Sequence, residues 1–435
     1  MARTAVLGLP RIGPDRELKF ALESFWSGDS DEQELLATAR ELRADNWRRA
    51  REAGVDAIPS GDFSLYDQVL DTAWGVGAIP ARFGEADGLA GYFALARGTA
   101  DQRPLEMTKW FDTNYHYLVP ELSPGQSFEA RPEHWVEQLR ESAELGIPTR
   151  PVLIGPFSFL LLSKGLDRPL DALPALVPVY ERLIAALAAA GATEVQIDEP
   201  CLVLDRSAGE LDAFAEAWSA LAASAEPELC LATYFAGLDR NGVIERVAAL
   251  PFAELHLDLV RAPGQLGPAL AAFGETDTRL SLGVVDGRNV WATDPDPALD
   301  RIDAALAQLG PERVTIAPSC SLLHVPYEAA RESGIDPEVR GWLAFAAERL
   351  AELEMLRAAA GAGDAERDEL LGPARERASA RRAAARRRAG ASSSSRSAAS
   401  AVTAARSSAS SASFSSANAS HDRSSGSSPV SRAAL

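Results

Sequence analysis

Two hydrophobic rhythms alternate along the chain. Short apolar runs bounded by Gly or Pro, such as Ala5-Val6-Leu7-Gly8-Leu9 and Val152-Leu153-Ile154, read as strands buried on both faces. Between such runs, apolar residues recur three and four apart. Leu173, Leu176, Val177, Tyr180, Leu183, Ile184 and Leu187 form one such stripe, which ends at Gly191; Leu35, Ala39, Leu42, Trp47 and Ala50 form another within Glu32–Glu52. Strands are predicted at residues 5–9, 55–58, 150–154, 194–198, 229–233, 254–257, 280–285 and 314–316. A helix is expected after Pro10-Arg11-Ile12-Gly13-Pro14, with Asp15 placed to cap it. Eight or nine βα units result. No G-x-G-x-x-G loop follows the first strand, which argues against a dinucleotide-binding sheet. The pattern predicts an α/β fold, a (β/α)8 TIM-like barrel over residues 1–371.

In such a barrel the functional groups lie where strands end. Candidates are Asp198-Glu199, Thr233-Tyr234, His256, Asp258, Asp286 and Ser319-Cys320. Asp198 and Glu199 read either as an acid–base pair or as carboxylates that hold loops by hydrogen bonds. His256 and His324 belong to no H-E-x-x-H or comparable spacing, so rim or core packing is their default reading.

One stretch departs from both rhythms. From Glu106 to Glu121, Trp110, Phe111, Tyr115 and Tyr117 interleave with Lys109, Asp112, Asn114 and His116. That mixture of rings and directed hydrogen-bonding groups suits a pocket wall, and equally a buried aromatic strand. Arg16 and Lys19, three apart at the start of the first helix, read as an anion site at a helix N-terminus or as two solvated charges.

Charge sharpens the picture. Residues 373–435 carry eleven arginines against Glu376 and Asp422, so a net charge of −19 for the whole leaves −28 on residues 1–372. A nucleic-acid partner is therefore not expected for the main body. The sequence has only three lysines, Lys19, Lys109 and Lys164, and two fall in the singled-out stretches. Cys201, Cys230 and Cys320 lie far apart without a Cys-x-x-Cys pair, so neither a disulfide framework nor a zinc knuckle is expected. No run of eighteen uninterrupted apolar residues occurs and the N-terminus leads straight into a strand, so a cytoplasmic protein without a membrane segment is expected. From Gly372 the chain becomes Ala, Arg and Ser, a low-complexity tail over 372–435 that is expected to be disordered. Its monotony also suits a GC-rich gene read out of frame.

These residues together resemble a known family. Leu7-Gly8-Leu9-Pro10-Arg11-Ile12-Gly13, Arg16-Glu17-Leu18-Lys19, the run from Met107 to Tyr117 and Gln196-Ile197-Asp198-Glu199-Pro200 are similar to the N-terminal half of cobalamin-independent methionine synthase, over about residues 3 to 360. The family transfers a methyl group from 5-methyltetrahydropteroyl-polyglutamate to homocysteine and is built as two face-to-face barrels. The resemblance implies that Arg16, Glu17, Leu18, Lys19, Lys109 and Asn114 form the folate-polyglutamate site, with the three cations on the tail's carboxylates. It also implies that the family's zinc, which holds the acceptor thiol as a thiolate, is bound in a C-terminal barrel by His, two Cys and Glu. Thr233-Tyr234-Phe235 stands here where a His-x-Cys is expected, leaving Cys320 as the relic of one ligand. No metal or other cofactor is therefore expected on this chain, and no catalytic residue is assigned. Its expected partners are the folate and a separately encoded C-terminal zinc barrel, and it is expected to be truncated and inactive alone. The alternatives are an independent single-barrel enzyme using Asp198, Glu199, His256 and Cys320, or a non-catalytic partner of a separate zinc barrel.

Overall fold

The computed structural model describes residues 1–84, 86–239 and 242–406, with side chains as far as Arg387. Ten strands are present in this part: β1 (Arg3–Thr4), β2 (Pro59–Ser60), β3 (Met107–Lys109), β4 (His116–Leu118), β5 (Arg150–Ile154), β6 (Glu194–Asp198), β7 (Glu228–Ala232), β8 (Glu254–Asp258), β9 (Arg279–Val285) and β10 (Val314–Pro318). Eight form a parallel sheet in the order β1-β10-β9-β8-β7-β6-β5-β2, and a parallel bridge between Ala5 and Ala57 joins its two ends. The sheet is thus a closed (β/α)8 barrel. The strands β5, β8 and β10 are buried along their whole length, as expected of strands with core on one side and helices on the other.

The helices form where the pattern and the caps agree. Helix α1 (Glu17–Ser27) is followed by α2 (Glu32–Glu52), which starts at a capping box: the Asp31 carboxylate accepts from the Glu34 N–H, and Glu34 reaches back to Asp31. Its buried stripe is Leu35, Ala39, Trp47 and Ala50, with Asn46. A long apolar helical stretch, Pro169–Ala189, buries Leu176, Tyr180, Leu183, Ile184 and Leu187 in the main core.

Three expectations are corrected in detail. Asp15 does not cap α1; Arg16 occupies the N-cap in a left-handed conformation, and the Asp15 carboxylate pairs with Arg331. The first strand keeps only Arg3–Thr4 and the bridge at Ala5; beyond it Val6 donates its N–H to the Ala57 carbonyl and Leu9 donates its N–H to Asp62. The segment 55–58 likewise gives way to Pro59–Ser60 as the paired residues. Separately, a helix, Asp364–Arg406, runs through residues 371 and 372, and the first compact unit is Met1–Arg375. Residues 407–435 of the expected tail lie outside the described residues.

The core is organised in two clusters. The larger fills the barrel and its surroundings; the smaller gathers Leu18, Leu22, Leu35, Phe63, Tyr92, Leu105 and Leu118 beside it. This second cluster underlies the connections between β1 and β2 and between β2 and β5, which carry α1 and the antiparallel hairpin of β3 and β4.

Candidate functional site at the C-terminal end of the barrel

The singled-out aromatic stretch is a hairpin whose turn folds on itself. Trp110 donates its N–H to the Tyr115 carbonyl at 2.8 Å, and the Thr113 hydroxyl donates to the Trp110 carbonyl at 2.6 Å. Trp110 is fully buried, and its indole N–H has no partner among the described residues. Lys109 stands opposite His116 and is exposed. The hairpin thus buries Trp110 and Tyr117 and leaves Lys109 and His116 exposed.

The tip of this hairpin is latched to the barrel. Asp112 accepts from Arg261 Nη2 at 2.5 Å and Arg288 Nη1 at 2.7 Å, and its carbonyl accepts from Arg288 Nη2 at 2.9 Å. Burial would raise the Asp112 pKa, but the two guanidiniums outweigh it and hold the pKa below the usual carboxylate range. Phe111 packs against Phe235 with ring centroids 5.4 Å apart. Both have φ in the left-handed region, 51° and 79°, a conformation that costs bulky residues about 1–3 kcal/mol each and persists only where the surroundings enforce it. Arg16, at φ 65°, is the third such residue among the described ones. All three lie in segments that sequence alone had marked.

The Arg16-Glu17-Leu18-Lys19 turn divides its labour. Leu18 is wholly buried and anchors α1 in the second cluster alongside Leu118 of the hairpin. Glu17 folds back to accept the Asp15 N–H at 3.0 Å. Lys19 meets Glu23 at 3.4 Å, an exposed i,i+4 pair worth a few tenths of a kcal/mol. Arg16 and Lys109 are exposed and form no ion pair with any described residue. The structure thus seats both cationic stretches on one apolar cluster, while no hydrogen bond or ion pair joins them. Lys164, the third lysine, is spent on Glu106 at 2.7 Å and Glu121 at 3.6 Å, which tie the hairpin's base to the segment after the helix Pro156–Leu161.

The strand-end carboxylates act as loop clamps. Glu199 accepts from the Phe157 and Ser158 N–H groups at 3.1 and 2.7 Å, at the start of the helix Pro156–Leu161. Gly155 permits this, since a Cβ there would sit 2.0 Å from Glu199 Oε1. Asp198 accepts from Gln196 Nε2 at 2.7 Å and the Tyr234 hydroxyl at 2.9 Å; Asp258 accepts from the Phe235, Val260 and Arg261 N–H groups. Burial pushes Asp198 up to about 7 and Glu199 up to about 8. His256 contacts the Ser281 hydroxyl at 2.9 Å, and burial lowers its pKa to about 4. Cys320 is fully buried, its Sγ 3.6 Å from the Ser321 carbonyl, and burial pushes the thiol far up. Asp198, Glu199, His256 and Cys320 are all inaccessible to solvent and committed to internal contacts. They form no nucleophile–base constellation.

A family profile described as "Cobalamin-independent synthase, N-terminal domain" matches residues 3–310. The chain belongs to the cobalamin-independent methionine synthase family. It is 53% identical over 370 residues to the 5-methyltetrahydropteroyltriglutamate–homocysteine methyltransferase of Chelativorans sp. (strain BNC1), a match covering 81% of this chain and 48% of that protein. The protein of the same name from Rhodopseudomonas palustris (strain ATCC BAA-98 / CGA009) is 50% identical over 406 residues, 87% of this chain and 51% of its own length. The chain spans about half the length of the curated relatives it matches. A solved B12-independent methionine synthase from Shewanella sp. W3-18-1 superposes with a TM-score of 0.58 at 14% identity, over 86% of this chain and 99% of that one, which supports the barrel fold alone.

As a member of the methionine synthase family the chain raises the question of zinc. Among the described residues no three His, Cys, Asp or Glu side chains come together as a metal-binding group. The Tyr234 hydroxyl is spent on Asp198, and the Cys320 thiol lies against the Ser321 carbonyl. The donor set at these strand ends does not fit a zinc centre. What sequence reading missed is the latch. Asp112, Arg261 and Arg288 come from three distant segments, and no spacing announces them.

Proposed function

We propose that this chain supplies the folate-polyglutamate-binding half of a cobalamin-independent methionine synthase, with Arg16, Lys19 and Lys109 on the carboxylates of the glutamate tail and Asn114 beside them. The observation that carries this reading is the pair Arg16 and Lys109: exposed cations without an acidic partner among the described residues, in a body that bears −28 over residues 1–372. Exposed cations that an acidic protein leaves unpaired are candidates to meet a polyanion. Glu17 and Leu18 serve the same site by shaping the turn, through the Asp15 N–H and the apolar cluster respectively.

The methyl transfer itself needs the acceptor thiol as a thiolate, a task for zinc. We assign that metal to a second barrel, so this chain binds no cofactor of its own and is inactive alone. The protein works in the cytoplasm, on a soluble folate, without nucleic acid or membrane. The test is direct. Purified chain is dialysed, analysed for zinc and assayed with homocysteine and the methylated triglutamate folate, with and without a separately expressed C-terminal barrel. The expected outcome is no stoichiometric zinc and no methionine from the chain alone, with turnover on addition of the second barrel, limited by the loss of a covalent link. Robust methionine formation by the chain alone in chelated buffer would overturn the assignment.

A further inference from the structure

A recess of about 210 Å³ opens between α2, the helices Gln68–Gly75 and Gly88–Arg97, and the helix Glu133–Glu144. Phe63, Asp71, Trp74, Tyr92, Glu133 and Glu137 line it, and it shares no lining residue with the hairpin of β3 and β4 or with the Arg16–Lys19 turn. We propose that this recess binds a small organic cation, a primary ammonium on a short apolar chain, with the ammonium on Asp71 and the chain between Phe63, Trp74 and Tyr92.

Asp71 is half used. The Tyr92 hydroxyl donates to its Oδ1 at 2.7 Å, while its Oδ2 has no hydrogen-bond partner among the described residues, in a side chain only 6% exposed. The nearest polar group, His134 Nε2, stops at 3.6 Å and is itself 3.2 Å from the Gly61 carbonyl. Capping does not need Asp71 either, because Asp67, one turn earlier, takes the Val69 and Leu70 N–H groups at 2.8 and 3.0 Å. Burial, with the charge of Asp71 adding to it, raises the Asp67 pKa to about 7. A buried carboxylate oxygen that is aimed at a recess and answered by nothing costs free energy that a bound donor would recover.

Charge and shape favour an organic cation. Of the two guanidiniums on the lining, Arg43 is held by Glu141 at 2.7 and 2.8 Å and Arg131 pairs with Glu129 at 3.3 Å. Asp71, Glu133 and Glu137 therefore leave the recess with an excess of negative charge. Glu133 and Glu137, four apart on one helix face and exposed, stand at the rim, where they attract a cation and would meet a second ammonium on the same chain. The walls are aromatic: Tyr92 meets Trp74 edge-on at 6.0 Å, and Phe63 and Trp74 already carry Arg43 and Arg131 over their rings at 5.3 and 5.7 Å. Such walls suit an apolar chain better than a hydrated inorganic ion. At about 30 Å³ per water in the liquid, the recess has the volume of about seven waters, enough for a chain of about six heavy atoms.

The experiment titrates the full chain by calorimetry with 1,4-diaminobutane, n-butylamine and sodium butyrate, at ionic strength held constant with sodium chloride. The proteins are the wild type, Asp71→Asn and the double variant Glu133→Gln/Glu137→Gln. The wild type is expected to bind both amines and not butyrate, and the diamine about threefold to tenfold more tightly because its second ammonium meets the rim carboxylates. Asp71→Asn keeps the oxygen that Tyr92 bonds but turns an N–H toward the ammonium, so both amines should bind at least about tenfold more weakly. In the double rim variant the margin between the two amines should vanish while butylamine stays within about twofold. No binding of either amine by the wild type, equal binding of butyrate, or unaltered binding by Asp71→Asn would overturn the site, and an ordered water would then answer Asp71 Oδ2. Should Asp71→Asn fail to fold, the exposed rim variant still decides: an unchanged margin between the amines rejects the proposal, and its loss supports it.

Discussion

The two ends of the barrel bury carboxylates in opposite ways. At the N-terminal end, Glu254 is fully buried and receives Arg150 Nη1 at 2.7 Å and the Thr315 hydroxyl at 2.8 Å, while Arg150 Nη2 reaches Gln196 at 2.9 Å. Burial alone would raise Glu254, but the charge of Arg150 outweighs it and lowers the pKa to about 2. At the C-terminal end, Asp198 and Glu199 are just as buried, but their hydrogen-bond donors are neutral: an amide, a phenol and backbone N–H groups. Burial wins there, and both pKa values rise to between about 7 and 8. The closed end is a completed ion pair that keeps the strands in register. The open end clamps its loops with carboxylates whose pKa burial raises, and places its cations, Arg16 and Lys109, outside. A barrel that keeps stability at one end and ligand contacts at the other distributes charge in this way.

The comparison breaks most visibly at Glu254. Glu254→Gln strands the Arg150 guanidinium in the interior and is expected to cost about 3–5 kcal/mol, whereas Asp198→Asn, which lets Tyr234 turn its hydroxyl to accept, costs about 1 kcal/mol. Urea unfolding of both variants checks the ratio; equal losses would mean that the two ends do not differ. Next in size are the rim cations. Lys109→Ala and Arg16→Ala are each expected to weaken triglutamate folate about tenfold by calorimetry while leaving the thermal midpoint in place, because neither side chain is engaged inside the fold. The margin between tri- and monoglutamate should shrink as salt is raised, since the groups are exposed.

The smallest effect is on pH dependence. Asp198 has a folded pKa of about 7 against an unfolded value near 3.8, so the stability it contributes is complete below pH 4 and is lost as pH rises through about 7. Glu254 has the opposite sign: its contribution is present above pH 4.5 and disappears as pH falls toward about 2. Between pH 5 and pH 8 the thermal midpoint of the wild type should therefore fall relative to Asp198→Asn, and below pH 4.5 it should fall relative to Glu254→Gln. Parallel curves for the wild type and both variants would contradict the assignment.

Hydrophobic rhythm by itself determined the barrel, because buried strands and one-sided helices leave different periods in the sequence whatever their partners. It placed β5 through β10 almost to the residue, and the unusual mixture around Lys109 marked the hairpin before its shape was known. The short strands β1 and β2 were misplaced, since their ends are set by Asp62 and by the bridge from Ala5 to Ala57, contacts across more than fifty residues. The choice between the two readings of Asp198 and Glu199 also lay beyond the sequence. A carboxylate's role depends on whether a cation or a backbone N–H faces it, and only the packing of Phe157, Ser158 and Tyr234 around that strand end decided it. Asp112, Arg288 and His324 are likewise separated by up to 212 positions along the chain, and only the tertiary structure brings them to the wall of one cavity.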